Sequence, residues 1–196
     1  MPGSNDTSDA RERVLRAAEK LFSERGYNAV TLRDIAAEVG IRHTSLYYHV
    51  PGGKEALYIE VTERNLQHHH TGLTESIAGA ESNVRSQLHA IADWLLSQPP
   101  MDLIRMSHSD MPSVDKQQAR RLMEQTFEAM LRPIEQVLEQ AQQRGEVEHH
   151  DLGVIAGGIL GMVEGFHAIP DYALDKERQL LAYELIDAML NGIRKR

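Results

Sequence analysis

The sequence predicts an all-α chain in two parts, a short N-terminal three-helix module containing a helix-turn-helix and a larger C-terminal helical domain. Three observations carry this. Apolar residues recur at spacings of three and four along most of the chain, the period of an amphipathic helix. The cluster Pro51-Gly52-Gly53 is its strongest break and predicts the boundary between the two parts. No set of segments alternates with the period of two that strands require.

Residues 1–8 read as a disordered polar tail, 9–53 as the helix-turn-helix domain and 54–196 as a ligand-binding and dimerisation domain. Asp9 reads as an N-cap, with Glu12 completing a capping box. Val14, Leu15, Ala18, Leu21 and Phe22 then line one helix face, and Gly26 is placed at its end. Thr31 caps a short helix with an apolar stripe of Leu32, Ile35, Ala36 and Val39, stopped by Gly40. Only Ile41 and Arg42 precede the next short helix, His43 to His49, giving a helix-turn-helix behind a supporting helix. Further helices are expected from Lys54 to about His70, from Val84 to Ser97, and over a short segment at Leu103 to Met106. A long helix capped by Ser113 carries a break or kink at Pro133 and ends at Gly145. The last two run from Leu152 to His167 and from Lys176 to Ile193.

Composition narrows the function classes. No run of 18 apolar residues exists and the N-terminus lacks a signal-peptide pattern, so a cytoplasmic protein without a membrane segment is expected. The absence of cysteine excludes disulfides, thiolate zinc sites and cysteine nucleophiles. A net charge of −8 looks unsuited to DNA, but it is unevenly spread. Residues 1–54 hold eight Lys/Arg against seven Asp/Glu, and the remainder thirteen against twenty-two.

In a helix-turn-helix the second helix enters the major groove with its early residues at base edges. Here these are His43, Thr44 and Ser45, followed by Tyr47, Tyr48 and His49, whose polar tips suit phosphates, while Leu46 faces inward. Arg33 opens the preceding helix beside its cap, Thr31. On these residues alone, a polar surface that binds nothing is an equal reading. The stretch Ala17-Ala18-Glu19-Lys20-Leu21-Phe22-Ser23-Glu24-Arg25-Gly26-Tyr27, then Thr31-Leu32-Arg33-Asp34-Ile35-Ala36, Val39-Gly40-Ile41, Ser45-Leu46-Tyr47-Tyr48-His49 and Lys54-Glu55-Ala56-Leu57 resembles the DNA-binding domain of the tetracycline-repressor (TetR) family. The resemblance implies a homodimer, usually a repressor, on a double-stranded DNA operator. It implies that Arg33, His43, Thr44 and Ser45 face bases and that Tyr47, Tyr48, His49 and Lys54 face phosphates. Position 42 departs from it, holding Arg where Ser is frequent. A cation at that N-cap costs a few tenths to about 1 kcal/mol in the free protein. A nearby phosphate or guanine would offset this; extension of Arg42 into solvent is the alternative. Val50 stands where Phe is frequent.

The region Arg144-Gly145-Glu146-Val147, Asp151 and Ala156 to Met162 resembles the C-terminal part of the same regulators. Gly157, Gly161 and Gly165 share one helix face and, with Leu181, Leu185 and Met189, suit a four-helix dimer interface; tight packing within one subunit is the alternative. Trp94, Met106, His108, Met123, Phe127, Met130, Met162 and Phe166 are read as the lining of an apolar effector pocket, with His89, Asp93 and His167 as further polar handles. The effector is unidentified, and no cofactor is expected. His68-His69-His70 do not form a metal site, because adjacent helix residues diverge and position 72 is Gly. Ser107-His108-Ser109-Asp110 is a chance run of triad letters in a loop, and His149-His150 reads as a solvated loop. The competing classes are an enzyme acting on a small apolar molecule in the C-terminal cavity, for which no nucleophile or paired carboxylates are found, and a DNA-binding regulator without a small ligand.

Overall fold

The computed structural model describes residues 5–148 and 151–193. The expected tail at residues 1–4 and the His149-His150 loop lie outside these. The described residues form ten α-helices: α1 (Asn5–Ala29), α2 (Leu32–Val39), α3 (His43–His49), α4 (Gly53–Gly79), α5 (Val84–Ser97), α6 (Leu103–Arg105), α7 (Lys116–Thr126), α8 (Arg132–Gln143), α9 (Leu152–Gly165) and α10 (Arg178–Ile193). The fold is all-α, as the periodicity predicts.

Two compact units form, one from residues up to Asn65 with 102–124, the other from 66–101 with 125–196. In the first unit, Val14, Leu15, Ala18, Leu21 and Phe22 of α1 are buried, one stripe at helical spacing. They share the core with Val30, Ile35, Ala36, Leu46 and Val50. Each large aliphatic side chain removed from water contributes about 1.5–3 kcal/mol. Phe22, Tyr27 and Tyr58 form an aromatic cluster between the C-terminal part of α1 and α4, with Phe22 edge-on to Tyr58 at 5.1 Å. On the exposed side, Arg64 makes two hydrogen bonds to Glu12, and Arg11 one to Glu60.

The second unit packs α5 against α8, α9 and α10, and also holds the C-terminal part of α4. Its core includes Leu88, Ile91 and Leu95 of α5, Ile134 and Leu138 of α8, Ile159 and Val163 of α9, and Ile186 of α10. Between α5 and α10, Arg85 forms a two-pronged pair with Asp187, His89 stacks on Tyr183 at 4.0 Å, and the Tyr183 hydroxyl donates to Asp93 at 2.5 Å. His89 and Asp93 are thus interhelical contacts rather than free polar handles.

Several boundaries differ from expectation for local reasons. α1 begins at Asn5, so Asp9 lies inside it rather than capping it, and residues 5–8 are helical rather than an irregular tail. Gly26 does break the helical path as expected, at φ 78° and ψ 168°, and the last residues of α1 lie beyond this kink. Pro51-Gly52-Gly53 starts α4, which runs on to Gly79, past the expected stop near His70. It is not the edge of the first unit, which continues to Asn65. Asp115, not Ser113, caps α7, accepting from the Gln117 and Gln118 amides. Pro133 sits in the first turn of α8, directly after one turn of π-helix at Phe127–Leu131. That widened turn accommodates a ring and a missing N–H that a regular helix interior would not. Short 3-10 turns at Phe166–Ala168 and Asp171–Ala173 separate α9 from α10.

Candidate nucleic-acid interface

The helix-turn-helix is built from caps. Thr31 Oγ1 accepts from the Asp34 amide at 3.2 Å, and the Asp34 carboxylate accepts from the Thr31 amide at 2.8 Å and its hydroxyl at 2.6 Å. This reciprocal box ties down the N-terminus of α2 and lowers the pKa of Asp34 below the usual carboxylate value, through the hydrogen bonds from Thr31. At the other end Gly40 takes the left-handed conformation. Its N–H bonds Ala37 O at 3.1 Å, and the Ile41 N–H bonds Ala36 O at 3.0 Å, a Schellman closure. Arg13 of α1 donates to Val39 O, and Lys20 pairs with Glu38. α2 is therefore held to α1 by its apolar face and by its C-terminal carbonyl.

α3 is anchored by Leu46, which is fully buried. Its opposite face is turned outward: Tyr47 is 51% and Tyr48 89% exposed, large aromatic areas left in solvent. Arg33, Arg42 and Thr44 are exposed, while His43, Ser45 and His49 are half-buried. His43 meets the edge of the Tyr47 ring at 5.1 Å. Arg42 is the N-cap of α3 and makes no side-chain cap bond, so the helix start lacks the acceptor a serine would supply.

Lys54 is placed differently from expectation. Its Nζ donates to Tyr27 O at 2.8 Å and Val30 O at 2.9 Å, and lies 4.1 Å over the Tyr27 ring. Burial lowers its pKa. Two of its three donors thus fasten α4 to the α1–α2 corner, and the side chain serves as scaffold rather than as a free phosphate contact. Thr31 is likewise occupied by its cap.

Residues 14–61 match the profile of the family described as bacterial regulatory proteins, tetR family. Over these residues the chain is similar to the DNA-binding domain of that family. The HTH-type transcriptional regulator LmrA of Bacillus subtilis is 52% identical over 52 residues, which span 26% of this chain and 28% of LmrA. The nucleoid occlusion factor SlmA of Photobacterium profundum is 29% identical over 166 residues, 82% of this chain and 83% of SlmA. Among solved structures, a transcriptional regulator of Saccharomonospora viridis in complex with choline superposes with a TM-score of 0.75 at 20% identity, covering 96% of this chain and all of that one. The fold shared with that protein therefore extends through the C-terminal helices of this chain.

The residues read as an effector pocket are divided between the two units. Met106, His108 and Met123 lie in the first unit, with 102–124. Met106 is core there, and His108 and Met123 are exposed. Trp94, Phe127, Met130, Met162 and Phe166 belong to the second unit, where Met130 and Phe166 are buried and Phe127 is exposed. Methionine and phenylalanine at helical spacing fit any core, so the spacing could not tell one unit from the other. His167 contacts Leu95 O at 3.3 Å through Nε2. Sequence reasoning missed Arg105, Asp110, Tyr58 and His69, which are placed by contacts distant in sequence and carry no local signal.

Proposed function

We propose that the protein is a homodimeric repressor that reads a palindromic operator through the major groove and leaves it when a small apolar or amphipathic effector binds. The observation that carries the reading is the two-faced α2–turn–α3 unit. Its inner face is locked by Leu46 and two helix caps, and its outer face presents Arg33, Arg42, Thr44, Tyr47 and Tyr48 to solvent. Such a unit holds hydrogen-bonding groups at fixed spacing without ordering them on contact.

The test separates base from phosphate contacts. Arg33→Ala and Ser45→Ala should lose about 1–3 kcal/mol on a selected duplex, with relaxed preference at particular base pairs. Tyr48→Phe should weaken selected and scrambled DNA alike, because phosphates carry no sequence information. Lys54→Met should lower the melting temperature while leaving the salt dependence of binding unchanged, since its amine is engaged within the protein. Equal losses on both duplexes for all the helix-turn-helix variants would contradict the sorting.

Dimerisation through α9 and α10 is supported by the open face that they carry. Gly158, Gly161 and Gly165 are exposed, and a Cβ at Gly161 or Gly165 would meet nothing within 4 Å. Val154, Leu180 and Leu185 are exposed apolar side chains on the same two helices. Leu181 and Met189 are half-buried, and a Cβ added at Gly157 would lie 4.0 Å from Leu131 Cδ2 of its own subunit. Because a Cβ at Gly161 would meet nothing within 4 Å in its own chain, Gly161→Leu should leave the fold intact and overpack only a second copy, by about 1–3 kcal/mol. Sedimentation should then show monomer at concentrations where the parent protein is dimer. A normal dimer would move the interface elsewhere.

An effector can release DNA only if it binds the non-binding arrangement better, typically by about 1–3 kcal/mol of coupling. Support comes from Trp94, Met130, Met162 and Phe166 in the second unit, and from choline bound to the same fold in the S. viridis protein. The match to SlmA over most of the chain favours a second reading, a DNA-binding factor without a small effector. It predicts that no ligand changes operator affinity.

A further inference from the structure

The segment Asp102–Ser113 follows α5 in sequence, yet it belongs to the same compact unit as the helix-turn-helix. Asp102 caps α6 by accepting from the Arg105 amide at 2.9 Å. One turn of π-helix, Met106–Asp110, comes next. Three groups in this segment reach back to α1. Arg105 Nη2 donates to Ser23 O at 2.7 Å and Phe22 O at 3.2 Å, taking up carbonyls that lose their helical partners near Gly26. Asp110 Oδ1 accepts from the Tyr27 amide at 3.0 Å. Ser109 O accepts from the Asn28 side-chain amide at 2.9 Å.

Asp110 is 3% exposed, with Arg105 Nε 3.7 Å from its second oxygen. A carboxylate is buried at such cost only where it is paired and hydrogen-bonded. Gly26 completes the clasp. At φ 78°, an added Cβ would lie 3.1 Å from Asp110 Oδ1 and 3.2 Å from Arg105 Cδ. From α4, Lys54 holds Tyr27 O and Val30 O. The peptide groups of Tyr27 are therefore gripped on both sides, N–H by Asp110 and C=O by Lys54. Thr31 and its cap follow at once, and Arg33 lies in the first turn of α2.

We propose that Arg105 and Asp110 are positioning residues for DNA recognition: they hold the Gly26–Val30 corner from which α2 and Arg33 start, and so let the Asp102–Ser113 segment control how the helix-turn-helix is presented. The proposal rests on the DNA-reading function above and adds the point where regulation enters it. The segment is reached through Met101, whose amide donates to Glu164 of α9 at 3.1 Å. Neither positioning residue touches DNA; both act through the backbone of the corner.

The experiment uses full-length protein, with Asp110→Ala, Asp110→Asn, Arg105→Ala and Arg105→Lys beside Val14→Ala, a core change in α1 that serves as the stability control. Amide hydrogen exchange is followed without DNA, and affinity is measured for a duplex selected by the parent protein and for its scrambled version. Asp110→Ala leaves the Tyr27 N–H unpaired, so exchange over residues 27–33 should quicken by about 5- to 150-fold. Selected-duplex affinity should fall by a similar factor, with scrambled-duplex affinity held within about threefold. Asp110→Asn retains the acceptor oxygen and should recover most of both. Arg105→Lys keeps one carbonyl contact and should fall between Arg105→Ala and the parent. Exchange over 27–33 that is unchanged, or that merely tracks melting temperature as in Val14→Ala, overturns the proposal. If the parent protein prefers no duplex, the DNA reading fails and takes the recognition role with it, while the exchange data still report whether Asp110 holds the corner.

Discussion

Alanine at Gly72 destabilises the protein by about 1–3 kcal/mol, the cost of overpacking a filled core site. For a chain of this size that is roughly 2–12 °C in melting temperature. The Trp94 ring lies flat against the backbone of α4 at this point: a Cβ on Gly72 would fall 1.9 Å from Cζ2 and 2.1 Å from Cε2. The indole cannot swing aside cheaply, because the His68 ring lies 5.1 Å away and the His69 ring 6.5 Å away. His68 is itself engaged with Gln98 at 2.9 Å. In an exposed helix, glycine to alanine would stabilise by up to about 1 kcal/mol. The sign of the change therefore isolates the clash. Trp94 is the single tryptophan, so its emission should shift in the same variant. A melting temperature that rises, with emission unaltered, would contradict this packing.

Acidification should weaken the fold through His69. His69 is 1% exposed, and its Nδ1 is buried without a hydrogen-bond partner. Burial first, then the field of His68, presses its pKa down to about 4 from 6.5. The folded value lies below the unfolded one, so the unfolded chain binds the extra proton between them. His69 costs nothing above about pH 6.5, and stability falls as the pH drops towards 4. The loss approaches roughly 3 kcal/mol at the acid end, about 2 kcal/mol of it by pH 5. Urea midpoints at pH 7.5 and 5.0 should separate more for the parent protein than for His69→Gln. Equal separations would mean that His69 is protonated in the folded state.

What the sequence revealed was what short-range chemistry encodes. Thr31 and Asp34 sit three residues apart, and Gly40 directly follows an apolar stripe, so the caps of α2 could be read directly and were found. Leu46 faces inward because the helical period leaves it no other side. The clasp is different in kind. Asp110 looks like the end of a polar loop, and nothing near it in sequence says that its partner is the Tyr27 amide. Lys54 follows a glycine turn in a family motif, where a cation suits either a phosphate or two carbonyls; only the approach of Tyr27 and Val30 decides. The pocket set is split between the two units for a related reason. Met106 and Met123 obey the same apolar period as Met130, but the chain folds 102–124 into the first unit. Periodicity identifies a buried face without saying which core receives it.

The most direct test of the account is selection of bound duplexes from a random DNA pool by the full-length protein, with sedimentation of the resulting complex. Two copies of the capped helix-turn-helix related by a twofold axis predict an inverted repeat, with half-sites about 10–10.5 base pairs apart, or a multiple, centre to centre. Arg33→Ala should relax one position symmetrically in both halves. Recovery of sequences with no shared motif, or of a single unrepeated half-site bound by a monomer, would contradict the account.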